Sequence, residues 1–156
     1  MHNIEKNIKN LSIELPNPAP PAATYVPYVI SGNNVYISGQ IPFLNGEQMH
    51  IGKVGENYSS EEAKKAAMAC GLNILSQLKS AINGDWGRVV KCIKLGGFVN
   101  CTASFNDHPL IINAASELMI NILGEEIGKH TRFAVGAPSL PFGVAVEIDA
   151  IFEIKE

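Results

Sequence analysis

Val144-Ala145-Val146-Glu147-Ile148-Asp149-Ala150-Ile151-Phe152-Glu153-Ile154 reads as one long β-strand. Successive side chains of a strand point to opposite faces. Val144, Val146, Ile148, Ala150, Phe152 and Ile154 therefore share one apolar face. The other face carries Ala145, Glu147, Asp149, Ile151 and Glu153. A fully solvated face seldom holds both Ala145 and Ile151, so a loop or another subunit is expected to cover part of it. Glu147 then sits beside apolar neighbours, where a carboxylate needs a cation or hydrogen-bond donors.

Working back from this strand, Gly136 to Gly143 carries Pro138 and Pro141 and reads as a loop. Thr131 to Val135 before it is a short strand, and the loop fits a hairpin-like return between the two. Arg132 lies on that short strand. Its guanidinium is a rigid fork of donors that can grip a carboxylate at two points. Spacing alone favours a surface ion pair of Arg132 with Glu147 or Asp149, and nothing in composition or periodicity selects a pocket.

Asp107-His108-Pro109 starts a helix, with Asp107 as N-cap and the proline in the first turn. Ile112, Ala115, Leu118, Met119 and Ile122 form its apolar stripe, and Gly124 is its stop. Val89 to Val99 reads as a strand, in which Gly96-Gly97 marks a bulge or a close approach by another backbone. Upstream, Ser59 and Glu62 have capping-box spacing. Ala63, Ala66, Ala67, Cys70, Ile74, Leu78 and Ala81 follow at helical steps, and Asn83-Gly84 closes that helix. Val26 to Ile30 and Val35 to Gln40 flank the turn Ser31-Gly32-Asn33-Asn34 and predict an opening hairpin. Residues 42–58 make a long irregular connection. Pro16-Asn17-Pro18-Ala19-Pro20-Pro21 excludes helix and central strand, so residues 1–21 divide off as an arm and extended connector. Residues 22–156 form a single domain in the order ββ-α-β-α-ββ. That is an α+β layout, a sheet with two helices on one face.

The chain has 156 residues, 46% hydrophobic and 17% charged, with net charge −3. This fits one globular domain and argues against disorder and against a basic nucleic-acid-binding stripe. Cys70, Cys92 and Cys101 are an odd set at no repeating spacing, expected to be buried reduced thiols of a cytoplasmic protein. The first residues lack the apolar run of a signal peptide. No segment approaches the roughly 18 apolar residues of a membrane span. Neither a metal site nor a phosphate loop is visible. Gly84-Asp85-Trp86-Gly87 reads as a turn, with Trp86 as a packing anchor.

Three motifs carry a resemblance. Ser38-Gly39-Gln40-Ile41-Pro42 is similar to the opening signature of the YjgF/RidA proteins, also known as endoribonuclease L-PSP or translation-inhibitor proteins. Arg132, Leu140-Pro141 and Val146-Glu147-Ile148-Asp149-Ala150 match their C-terminal signature, and Asn113-Ala114-Ala115 matches a further position. The resemblance covers residues 22–154. It implies a chorismate-mutase-like fold and a homotrimer with clefts between subunits. It also implies cofactor-free hydrolysis of reactive 2-imino or 2-enamino acids, such as 2-aminoacrylate, to 2-keto acids and ammonia. On that resemblance Arg132 clamps the substrate carboxylate and Glu147 holds or activates water. Ser38, Gly39 and Asn113 line the pocket, and Tyr25 closes it. The chain departs from the family at Ala134, where a cysteine is common. It is also longer at residues 42–58 and 105–113, and its arm is extra. Two other activities stay open: a non-catalytic binder of a small carboxylate, which would also need Arg132, and an endoribonuclease or translation inhibitor. For the latter, His130 is the nearest histidine to Arg132 in sequence, although a half-exposed loop residue is the simpler reading.

Overall fold

The C-terminal alternation becomes the middle strand of a five-stranded sheet in the computed structural model, which describes residues 2–21 and 23–156. In chain order the elements are α1 (Asn3–Asn10), β1 (Tyr28–Ser31), β2 (Asn34–Gln40), β3 (Phe43–Leu44) and β4 (Glu47–Gln48). They continue as α2 (Ser60–Ala81), β5 (Val89–Asn100), α3 (His108–Leu123), α4 (Glu125–Gly128), β6 (Thr131–Ala137) and β7 (Val146–Ile154). The sheet order is β1-β2-β7-β5-β6, and β3-β4 form a separate ribbon. Asn45 and Gly46, both at positive φ, make the ribbon's turn. The layout is the expected α+β one, with α2 and α3 against one face.

Along β7 the residues Val146, Ile148, Ala150, Phe152 and Ile154 are buried against the helices, as the alternation requires. The predicted hairpin is present, with Val29 opposite Tyr36 and Ser31 opposite Asn34. The capping box starts α2: the Glu62 amide donates to Ser59 Oγ at 3.1 Å, and the Ser59 amide donates to Glu62 Oε2 at 3.0 Å. Gly71 lets α2 and α3 cross closely, since a Cβ there would stand 2.9 Å from Leu118. Gly97 does the same between β5 and α3, where a Cβ would meet Ile112 at 2.8 Å.

Four local expectations are corrected. First, β6 and β7 form no hairpin: β6 pairs in parallel with β5, and β7 pairs antiparallel with the opposite side of β5. A parallel neighbour needs a crossover, and α3 supplies it. Second, Gly96-Gly97 is regular strand, and the bulges of β5 lie at Val89–Lys91 and Cys92–Lys94. Third, Ala145 lies in the core rather than on the open face, and its amide donates to the His50 carbonyl at 2.9 Å. Fourth, Asp107 occupies the cap position of α3 without a side-chain hydrogen bond.

The arm holds helix α1, whose Ile4 belongs to the core and whose Asn7 amide donates to the Ile122 carbonyl at 2.9 Å. The proline-rich connector is extended, and buried Ser76 and Gln77 of α2 donate to the carbonyls of Pro16 and Ala19. Cys70, Cys92 and Cys101 are free and buried. Burial raises the Cys70 thiol and pushes Cys92 up to about 12, so both stay protonated and inert. No helix among the described residues is long and apolar enough to cross a membrane.

Candidate functional site

Arg132 stands on the edge strand β6 in register with the fully buried Leu95. Partners in register share a face, so Arg132 points to the helix side of the sheet. There its Nη1 donates to Asn113 Oδ1 at 2.8 Å and to Ser116 Oγ at 3.0 Å, and its Nη2 donates to the Pro109 carbonyl at 3.2 Å. Asn113 and Ser116 are one helical turn apart on α3, which is why both reach the same guanidinium. All three acceptors are neutral. The ion pairs formed among the described residues are Lys64–Glu61 and Lys129–Glu125, so Arg132 has no carboxylate partner. Partial burial lowers its pKa because the charge is desolvated without an opposite charge nearby.

Ser116 is also bonded to His130, whose Nε2 lies 2.8 Å from Ser116 Oγ while its Nδ1 lies 2.6 Å from the Gly128 carbonyl. Burial lowers the His130 pKa and keeps the ring neutral. A neutral ring bonded to a carbonyl at Nδ1 carries its proton there, so Nε2 accepts from the Ser116 hydroxyl. Ser116 Oγ in turn accepts from Arg132. The chain Gly128–His130–Ser116 therefore fixes the position of the guanidinium. Sequence reading missed Ser116; the signal was its helical spacing from Asn113.

Glu147 is in register with Phe98, an odd number of residues from Leu95 along β5, and so faces the open side of the sheet. Gly39 lies against it: a Cβ there would come within 2.5 Å of Glu147 Oε1, so any larger residue would push the carboxylate from its place. The Ser38-Gly39 step is a β-bulge, since Ile37 pairs with Ala150 and Gln40 with Ile148. Bulges re-aim strands beside functional sites. Burial, then the charge of Asp149, raises the Glu147 pKa above the ordinary carboxylate range. Its side chain opens into a cavity of about 240 Å³ that Tyr25 and Gly39 also line.

One chain thus brings Tyr25, Gly39 and Glu147 together on one side of the sheet and Arg132 with Asn113 on the other. It does not join the two groups. The expected Arg132–Glu147 or Arg132–Asp149 ion pair is absent. Ser38 adjoins Gly39, but its hydroxyl donates to the Val26 carbonyl at 2.7 Å and is spent on anchoring the segment before β1. Ala134 follows Arg132 by two residues on β6, at the position where the resemblance implies a cysteine. Among the described residues no group of three or more His, Cys, Asp or Glu could hold a metal ion.

A mixed five-stranded sheet backed by two helices, with a bulged Ser-Gly step beside a strand glutamate and an unpaired arginine on an edge strand, defines a recognisable class. Residues 5–153 match the family described as "YjgF/chorismate_mutase-like, putative endoribonuclease", and the chain belongs to that family. It is 42% identical to Protein TCP17 of Trypanosoma cruzi over 97% of this chain and 94% of that protein. It is 45% identical to the solved protein Atu1372, of unknown function, from Agrobacterium tumefaciens, with a TM-score of 0.87 and coverage of 98% and 94% of the two chains. TdcF of E. coli, solved with bound serine, is 25% identical with a TM-score of 0.62, covering 89% of this chain and 94% of its own.

Proposed function

We propose that this protein hydrolyses small reactive 2-imino and 2-enamino acids to 2-keto acids and ammonia, in sites completed between subunits of a homotrimer. The observation that carries the reading is Arg132, a partly buried guanidinium held by three neutral acceptors and lacking a carboxylate partner. A cation positioned in this way is preorganised to receive an anion from outside the chain. TdcF carries a bound serine, whose carboxylate is the group that Arg132 suits. Glu147 lies on the other face of the sheet, so in this reading a neighbouring copy brings the arginine to it. The open face offers a surface for such a neighbour: Val29, Tyr36 and Val135 are exposed there, with Ile151 and Phe133 half-buried.

The chemistry follows from these groups without a cofactor. The enamine first takes a proton at C3 and becomes the imine. Water then adds to the imine carbon while Glu147 accepts its proton. Glu147 returns that proton to the nitrogen, and as ammonia leaves the hydroxyl gives up its remaining proton to solvent, which replaces the one taken up at C3 and leaves the C2 carbonyl. A carboxyl with a raised pKa exchanges protons more readily near neutrality than an ordinary one. Arg132 holds the carboxylate and Tyr25 covers the bound acid.

The test couples a dehydratase that makes 2-aminoacrylate from serine to pyruvate detection. The protein should accelerate pyruvate release above the spontaneous rate. Pyruvate binding without acceleration would replace this reading with that of a binder. Cleavage of RNA is less well supported, because His130 is committed to Ser116 and Gly128 and the chain is acidic.

A further inference from the structure

We infer that the cavity beside Glu147 selects acids with a flat apolar side chain, and that Phe142 is the residue that sets this preference. The inference rests on the reading above that a small 2-imino or 2-keto acid occupies this site. Phe142 has φ 58° and ψ 12°, in the left-handed region. A bulky residue there is a true outlier, whereas glycine would adopt the conformation freely. The neighbouring backbone imposes it: the Gly143 amide donates to the Leu140 carbonyl at 3.0 Å, and the Gly52 amide donates to the Gly143 carbonyl at 2.9 Å. Phe142 lines the cavity although 56% of the residue is exposed, so core packing does not explain the strained position. Strain of this kind persists where it serves a site.

The rest of the cavity agrees. Pro20 of the connector, Pro27, Ile41 and Phe43 form its apolar walls, and Glu147 stands among its few polar groups. The connector wall is fixed, because buried Gln77 donates to the Ala19 carbonyl at 3.0 Å. At about 240 Å³ the space is below the roughly 300–1,000 Å³ of drug-sized pockets and suits a metabolite. A ligand that matches it has its reacting end at Glu147 and an apolar side chain against Phe142. A one-carbon side chain would leave these walls facing water.

The test measures the affinity of the full-length protein for phenylpyruvate and pyruvate by calorimetry. Wild type should bind phenylpyruvate at least about tenfold more tightly, the least that apolar side-chain discrimination supplies. Phe142→Gly should bring that ratio near one without lowering the melting temperature, since glycine relieves the backbone, and Phe142→Leu should retain most of the ratio. Equal affinities in wild type, or an unchanged ratio in Phe142→Gly, would overturn the inference, as would failure of both acids to bind. Turnover of the imines of phenylalanine and alanine, generated in place by an amino-acid oxidase, separates the two readings. Hydrolysis of both at equal kcat/KM keeps the proposed reaction and removes the side-chain preference. Absence of hydrolysis with the binding ratio intact removes the reaction and keeps the preference.

Discussion

Arg132 and Glu147 point to opposite faces of one sheet, with β5 lying between their strands. Among the described residues neither has an ion-pair partner. Arg132 is satisfied only by neutral oxygens, and Glu147 is raised in pKa by burial and by Asp149. A structural ion pair would have brought them together. Their separation fits the proposed site shared between subunits.

Arg132→Lys separates ligand binding from folding. Lysine keeps the charge and loses the two-point fork. Charge-assisted hydrogen bonds are each worth about 1.5–3 kcal/mol, so affinity for a 2-keto acid should fall about tenfold to a hundredfold. The melting temperature should move little, because no buried carboxylate is stranded. A large loss of thermal stability with unaltered affinity would make Arg132 structural.

Subunit mixing tests the shared site. Arg132→Ala and Glu147→Gln should each abolish turnover alone. Unfolded together and refolded, they should recover part of the activity, because some clefts then combine an intact Arg132 with an intact Glu147. No recovery in trimers shown by mass spectrometry to contain both variants would place the whole site in one chain.

Ile151→Lys probes the open face. Ile151 is half-buried in one chain and lies beside Tyr36 across the β2–β7 pairing. If assembly covers it, an unpaired ammonium there should weaken the trimer by several kcal/mol. Light scattering should show dissociation at micromolar concentration. A trimer of undiminished stability would mean that this face meets solvent.

Stability should depend on pH through Glu147. Its folded pKa lies above that of an ordinary glutamate, so the protonated carboxyl favours the fold. That contribution is fully present below the unfolded pKa and is lost as pH rises through the raised value. Glu147→Gln should therefore melt higher than wild type at about pH 7 and no higher at about pH 3.5. A lower melting temperature at neutral pH would show that the ionised carboxylate is stabilised by a partner.

Much of the fold was legible because it is written in local periodicity. The alternation of Val146 to Ile154 gave the middle strand, and the Ser59–Glu62 capping box gave the start of α2. Asn113, which meets Arg132, and Gly39, which meets Glu147, were legible only through the signature motifs. Ser116 was marked only by its helical spacing from Asn113, because a serine on a helix carries no sign of its partner until another strand is laid beside it.

The sequence by itself determined which residues of β7 turn inward, where α2 and α3 begin and end, and the family of the chain, since all of these follow from residue type and near-neighbour spacing. Only the tertiary structure decided that β6 runs parallel to β5 instead of returning beside β7. Strand order depends on which distant surfaces bury one another, and side-chain periodicity is blind to that choice. Placing α3 as the crossover put β6 on the far side of β5, and with it Arg132 on the face opposite Glu147.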